Sequence, residues 1–278
     1  MTQNLLAVKD GAPTVKVNLT GVGVLQVPKG TSLLDLLPYD GVKRRSPVVA
    51  ALVNNVVRGL RARLMQDSAV EFIDLETEDG MRVYTRSLVM LLVRATSEVL
   101  PGSTVRVEHT LGNGLYGEIM YSRPLRNADI AAIEKRMREI VQADEPIIFR
   151  KLTKEEVGEL FKASGQLDKL DLLRYRATPV VKVHTCGWFH DFTYGNMVPS
   201  TGYLQVFRLR FYMPGFILEL PRQENPMVIP EYEEQGKLAN IYYEAEKWGR
   251  ILGVRNVVQL NEMLEKDKGG ELIRVAEA

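Results

Sequence analysis

Thr14-Val15-Lys16-Val17-Asn18-Leu19 alternates apolar and polar residues, and after Thr20-Gly21 a second run extends from Val22 to Val27. A period of two on either side of a glycine-containing turn predicts a β-hairpin with one face in the core and one in water. Working outward, Pro28-Lys29-Gly30 breaks the pattern. Thr31 or Ser32 can then cap a short helix carrying Leu33, Leu34, Leu36 and Leu37, which Pro38 ends. Residues 48–53 read as a buried strand, Asn54-Asn55 as a turn and residues 69–75 as a final strand. A hairpin, a helix and further strands in so short a span predict a β-grasp roll.

Beyond it, residues 76–80 are polar and read as a hinge, and residues 81–100 are apolar nearly all round and stop at Pro101-Gly102, the pattern of a buried helix. Strands at 104–109 and 115–121 flank the turn Gly112-Asn113-Gly114. Asn127 caps an amphipathic helix whose Ile130, Ile133, Met137, Ile140 and Val141 share a face, while Glu134 and Arg138 can pair on another. Residues 146–150 read as a strand, and Thr153-Lys154-Glu155-Glu156 as a capping box opening a helix of Val157, Leu160 and Phe161. Strands return at 180–183 and 204–211. A proline-rich crossing at 221–230 leads to a helix over 234–252, with Leu238, Ile241, Tyr242, Ala245 and Trp248 on its apolar side. Residues 257–266 and 271–278 read as two more helices, parted by Gly269-Gly270, and the last breaks off as in a chain cut from a longer protein. The class is α+β.

A chain of 278 residues, 45% hydrophobic and 26% charged, is a soluble globular protein with room for two domains. Thirty-six basic against 35 acidic residues exclude a whole-molecule field that draws the protein to nucleic acid or membrane. An RNA contact would have to be a local patch. Lys43, Arg44, Arg45, Arg58, Arg61 and Arg63 are the candidates, and scattered surface arginines are the alternative. One cysteine excludes an internal disulfide and fits a reducing compartment. The N-terminus has no basic start before an apolar block, and nowhere do about 18 apolar residues run together. A cytoplasmic protein with no membrane partner is expected. Neither a P-loop nor a dinucleotide fingerprint is present.

His184-Thr185-Cys186-Gly187-Trp188-Phe189-His190 holds the one cysteine and two of the three histidines. Zinc takes such nitrogen and sulfur donors, so His184, Cys186 and His190 are candidate metal ligands, needing a further one such as His109. The alternative is a buried thiol beside Trp188 and Phe189, with the histidines at strand ends.

Two sets of words carry a resemblance. "VPKGTSLLDLL" at 27–37 and "VNNVVRGLRARLMQDSAVEFIDLETEDG" at 53–80 resemble the TGS domain, the ubiquitin-like β-grasp module at the front of threonyl-tRNA synthetases. That resemblance covers residues 14–79 and implies RNA or nucleotide binding. "GNGLYGEIMY" at 112–121, "IAAIEKRMREIV" at 130–141, "IIFRKLTKEEVGELF" at 147–161 and "DKLDLL" at 168–173 resemble the editing region shared by threonyl- and alanyl-tRNA synthetases. This implies an antiparallel sheet with helices and a pocket made by a helical His-x-x-x-His and a later Cys-x-x-x-His. Counted back from Pro101, the helical motif falls on Arg86 to Met90, so both histidines are replaced. Cys186 and His190 match the later motif, His184 stands where the family has an acidic residue, and Lys169 matches the pocket lysine. Loss of the helical pair removes acid–base groups, so the resemblance does not imply deacylation by the family mechanism. Arg86, Met90, Tyr116, Lys169, Cys186 and His190 could instead line a pocket for a nucleotide, an amino acid or an RNA end, with Arg86 supplying a fixed charge. A vestigial core, a ligand-sensing cleft and a metal site all stay open.

"RQENPMVIPEYEEQGKLANIYYEAEKWGRILGVRNVVQLNEML" at 222–264 and "GGELIRVAEA" at 269–278 resemble the connector of bacterial uridine kinase-like proteins. Those carry TGS and editing-like domains before a P-loop kinase. The resemblance implies a β-grasp domain at 1–78, an editing-like domain at 79–222 and a helical connector at 223–278 leading to a kinase domain that would take ATP and magnesium. The expected role is a non-phosphorylating binding and regulatory region. The alternatives are a trans-editing hydrolase of misacylated tRNA and a scaffold without a ligand.

Overall fold

The computed structural model describes residues 3–4, 13–174, 178–192, 194–236, 244, 247–249, 251, 253–254, 257–265, 270 and 274. The fold is α+β with several antiparallel strand pairs. It divides into two compact units, residues 1–148 with 193–232 and residues 149–192 with 233–278.

The first unit opens with a sheet of β1 (Gln3–Asn4), β2 (Thr14–Leu19), β3 (Gly23–Pro28), β4 (Ala50–Val53), β5 (Val56–Gly59) and β6 (Ser68–Ile73). Their order is β1-β3-β2-β6-β4-β5. The hairpin of β2 and β3 is antiparallel as its alternation requires, and β2 runs parallel to β6. Inward residues Val15, Val17, Leu19, Leu25 and Val27 form the core with Leu33 and Leu36 of helix α1 (Leu33–Leu36). Ser32 and Asp35 cap α1 reciprocally. Pro38 does not stop the turn, which tightens into a 3-10 helix at Leu37–Tyr39, because a proline in the first turn has no N–H to miss. Asn54 and Asn55 both have positive φ, 49° and 62°, the geometry of a tight hairpin turn. That turn creates β5, which Val56-Val57 is too short to announce by periodicity.

Residues 76–80 are a helix start and not a hinge. Thr77 caps α2 (Glu78–Val99): its hydroxyl accepts from the Gly80 N–H at 3.1 Å and donates to Asp74 O at 2.9 Å. A Cβ on Gly80 would fall 1.8 Å from Asp74 O, so this close join requires glycine. After β7 (Thr104–Leu111) and β8 (Gly114–Met120) comes α3 (Asn127–Gln142). Its N-cap is Arg126, not Asn127. Asp129 accepts the Arg126 N–H at 2.9 Å and both Arg123 nitrogens at 2.6 and 2.8 Å. The Arg123 guanidinium holds the Asp129 carboxyl far below the usual carboxylate range.

Next in the chain come β9 (Ile147–Thr153), α4 (Lys154–Ala163), α5 (Asp168–Arg174), β10 (Val180–Cys186) and β11 (Phe189–Asp191). These three strands form a sheet in the order β11-β10-β9. Val157 and Phe161 of α4, Leu173 of α5, and Val181 and Val183 of β10 make the core of the second unit. The capping box of Thr153 and Glu156 opens α4 as its sequence predicts. The strand expected at 204–211 resolves into a 3-10 turn at Thr201–Tyr203 and a hairpin of β12 (Arg208–Tyr212) and β13 (Gly215–Glu219). With β7 and β8 these make a four-stranded antiparallel sheet, β12-β13-β8-β7. The helix expected at 257–266 is α6 (Val257–Glu265). The helices expected at 234–252 and 271–278 lie largely outside the described residues. Among the described residues no helix is long and apolar enough to cross a membrane.

Candidate functional site

The expected pocket residues fall in both units: Arg86, Met90 and Tyr116 in the first, Lys169, Cys186 and His190 in the second. Arg86 Nη1 donates to Asn196 O at 2.8 Å. A Cβ on Gly195 would lie 2.6 Å from the same nitrogen, and Gly195 has a φ of 93°, so only glycine lets the chain cross Arg86 there. Burial, and then the charge of Arg82, lower the pKa of Arg86. Met90, one turn along α2, is buried. Arginine keeps its proton and methionine has none to give, so these positions offer no acid–base chemistry near neutral pH.

Tyr116 stands on β8 in a row with Arg210, Ile217 and His109 on neighbouring strands. Its ring centroid lies 5.1 Å from that of His109 and 6.0 Å, edge-on, from that of Tyr212. Its hydroxyl donates to Glu118 Oε1 at 3.2 Å. Arg210 stacks 4.5 Å over the ring of Tyr232 and pairs with buried Glu219, which Arg208 approaches at 3.5 Å. Of this charged and aromatic face the sequence points to Tyr116 as a pocket residue and to His109 as a possible metal ligand. The signal for the rest was Arg208-Leu209-Arg210-Phe211-Tyr212, whose alternation sends Arg208, Arg210 and Tyr212 to one side.

In the second unit Lys169 Nζ pairs with Asp191 Oδ1 at 2.7 Å, donates to His190 O at 3.3 Å and sits 4.7 Å from the ring centroid of Phe189. Gln166 exchanges bonds with the backbone of His190: Nε2 donates to the carbonyl at 2.7 Å and Oε1 accepts the N–H at 3.1 Å. Lys169 and Gln166 thus hold the backbone of His190. Cys186 is buried, paired in register with Phe189.

The three candidate metal donors do not converge. His184 and Cys186 alternate with Thr185 along β10, so they share one face. His190 is opposite Thr185 in register, and its Nδ1 shares a 3.0 Å hydrogen bond with Thr185 Oγ1 on the other face. His109 belongs to the first unit. Buried His184 packs its ring 5.3 Å from that of Phe149. Among the described residues no group of three His, Cys, Asp or Glu side chains is placed to hold a metal ion. The residues do not fit the zinc site that their spacing suggested.

Burial first, then the charges of Arg150 and Lys169, lower the pKa of His190 below 6.5. Well above pH 6.5 the imidazole is neutral in the folded and unfolded chain alike, so it adds no pH dependence there. As the pH falls through that value the unfolded chain takes up the proton first, and stability is lost until the folded form is protonated as well. His190→Gln is expected to flatten this part of the melting-temperature profile between about pH 7 and pH 5. An unchanged profile would remove His190 as its source.

The proposed RNA patch is largely committed elsewhere. Arg44 pairs with Asp40 and Asp74 at 2.7 and 3.2 Å, and Arg45 with Glu76. Arg61 donates twice to Pro199 O, at 3.1 and 3.0 Å, and Arg63 donates to Gly30 O at 2.9 Å. Four of the six side chains therefore serve the protein's own structure, which favours scattered arginines over a phosphate-facing patch.

No family model matches the chain. It is 33% identical over 162 residues to a threonine–tRNA ligase of Acidovorax sp. (strain JS42), an alignment that covers 58% of this chain and 25% of that protein. It is 33% identical over 196 residues to the threonine–tRNA ligase of Paraburkholderia phymatum, with 70% and 31% covered, and 24% identical over 195 residues to that of Francisella tularensis subsp. novicida, with 70% and 31% covered. The uridine kinase-like reading of 222–278 finds no support in these relatives. The chain spans between a quarter and a third of the length of these curated relatives, and over that span it is similar to threonine–tRNA ligases, as its internal words predicted.

Proposed function

We propose that this chain is a non-catalytic binding and regulatory region with a degenerate aminoacyl-tRNA editing pocket. In this reading residues 1–78 are a TGS-like β-grasp domain, 79–222 an editing-like domain and 223–278 a connector to a cytoplasmic, ATP- and magnesium-dependent uridine kinase-like domain. The order β1-β3-β2-β6-β4-β5, with α1 covering the core, supports the β-grasp. The similarity to threonine–tRNA ligases supports the editing ancestry. The connector's own wording is what supports the kinase.

One observation carries the loss of catalysis. The two α2 positions that the family gives to histidine hold an arginine bonded to Asn196 O and a buried methionine. Without those histidines these two positions offer no general base to activate a water toward an aminoacyl ester. A nucleotide, amino acid or RNA end can still be held by charge and aromatic contact.

The test is release of labelled amino acid from misacylated tRNA, run beside thermal melts with nucleotides, amino acids and a short RNA 3′ end. The expected result is no hydrolysis above the protein-free rate, with a melting-temperature rise for one ligand class that Arg86→Ala reduces. A second reading, a trans-editing hydrolase, draws on Lys169 being bonded to the backbone carbonyl of His190 and on the lowered pKa of the His190 imidazole. Deacylation that Cys186→Ala abolishes would establish it and overturn the first.

A further inference from the structure

A cavity of about 790 Å³ lies wholly within the first unit, away from every residue considered so far as a pocket for the editing-like reading. That volume is within the range of about 300–1,000 Å³ usual for small-molecule sites. Its inner wall is apolar: Leu37 beyond α1, Val48 before β4, buried Leu75, the buried ring of Tyr84 on α2, and Val141 on α3. Tyr84 has no hydrogen bond left to offer, since its hydroxyl donates to Val206 O at 3.1 Å and accepts the Val206 N–H at 2.9 Å. Burial pushes this phenol up to about 12, so it stays neutral.

The polar end is built where α3 stops. Val141, Gln142 and Asp144 line it, and the last turn of α3 carries no basic residue to offset its carbonyl end. Two charged side chains line the cavity. Arg138 is spent: it pairs with Glu134 at 2.8 Å, donates to Gln205 O and Phe207 O at 3.3 and 2.6 Å, and stacks over Phe207 at 4.3 Å. Asp144 is not. Its Oδ1 accepts the Gly202 N–H at 2.9 Å, and among the described residues it has no ion-pair partner. A Cβ on Gly202 would lie 2.3 Å from Asp144 Oδ1, so a larger residue there would displace the carboxylate. Tyr203 brings a ring to the same end; its hydroxyl is raised by burial and then by the charge of Asp144, against an opposing effect of Arg61, whose guanidinium is bonded to Pro199 O.

An apolar chamber whose one unmatched charge is a carboxylate, backed by a helix C-terminus and an aromatic ring, selects a cation with an apolar body. We propose that this cavity binds a small organic amine, its aromatic or aliphatic part against Leu75 and Tyr84 and its ammonium at Asp144. The site is independent of the degenerate editing pocket, and its failure would leave that reading untouched.

The experiment is calorimetric titration of the whole chain with 2-phenylethylamine, 2-phenylethanol and 3-phenylpropionate, probes alike in ring and differing in the charge of the head. The amine is expected to bind at least tenfold more tightly than the alcohol, and the acid not at all. Asp144→Asn is the informative variant, because asparagine tolerates the left-handed φ of 47° and keeps an oxygen for the Gly202 N–H. It should erase the preference for amine over alcohol while the melting temperature holds. Val141→Trp, which fills the chamber, should abolish binding of both. Equal binding of amine and alcohol, no binding of either, or an amine preference that survives Asp144→Asn would each overturn the proposal.

Discussion

Arg94→Met is expected to lower the unfolding free energy of the first unit by about 3 kcal/mol, the lower end of the range for breaking a buried ion pair by removing one partner. Arg94 is 4% exposed on α2, and its fork is filled. Nη1 and Nη2 reach the two oxygens of Glu145 at 2.7 and 2.8 Å, and Nε reaches Glu98 at 2.9 Å. Glu98 also accepts from Arg136 at 2.5 Å, so it keeps one partner after the change. Glu145 is the group left without its bidentate donor, and its side chain is 28% exposed, which is why the lower end applies. Arg94→Lys should recover only part of the loss, because an ammonium cannot satisfy both oxygens and Glu98 together. Urea denaturation measures this directly: the midpoint should fall with an unchanged slope. A loss below about 1 kcal/mol would mean that water replaces the guanidinium at little cost.

Phe161→Ala is expected to cost about 3–5 kcal/mol, the range for deleting a buried phenyl ring. Here the loss should fall on the second unit. Phe161 is fully buried among Val157, Leu173, Val181 and Val183, and its ring packs 5.4 Å from that of Phe192. The two tryptophans, Trp188 and Trp248, both belong to that unit. Tryptophan emission therefore reports its unfolding, while far-ultraviolet dichroism follows the whole chain. The tryptophan transition should move to lower denaturant and separate from the later part of the dichroism curve. If both signals shift together by the same amount, the units unfold as one and the assignment of the loss to the second unit fails.

How much was legible in the sequence depended on which force set each element. Residues whose burial follows a simple period were readable: the β2–β3 hairpin, the inner face of α3 and the capping box of Thr153 with Glu156. What escaped was decided by particular side-chain contacts, which no period of apolar residues reports. The segment at 76–80 looks like a linker because it is polar, yet its polar atoms are the cap of α2. Asn127 looks like a cap until Arg123 fixes Asp129 so that it takes the N–H one residue earlier. The alternation at 208–212 puts Arg210 and Tyr212 on one side, but the approach of Tyr232 to them is a contact that no local pattern encodes. For the site, the resemblance named Lys169 and His190, and the spacing named Cys186 and His190, but neither reports that strand pairing turns His190 away from Cys186.

The sheet order β12-β13-β8-β7 has a consequence for how the chain is made. β8 leaves the ribosome long before its inner neighbour β13, and the first half of the second unit is synthesised between them. Until residues 215–219 emerge, β8 presents an open hydrogen-bonding edge carrying Leu115 and Ile119, the kind of surface that recruits strands from other nascent chains. The length of chain synthesised between β8 and β13 therefore sets how long this edge stays open.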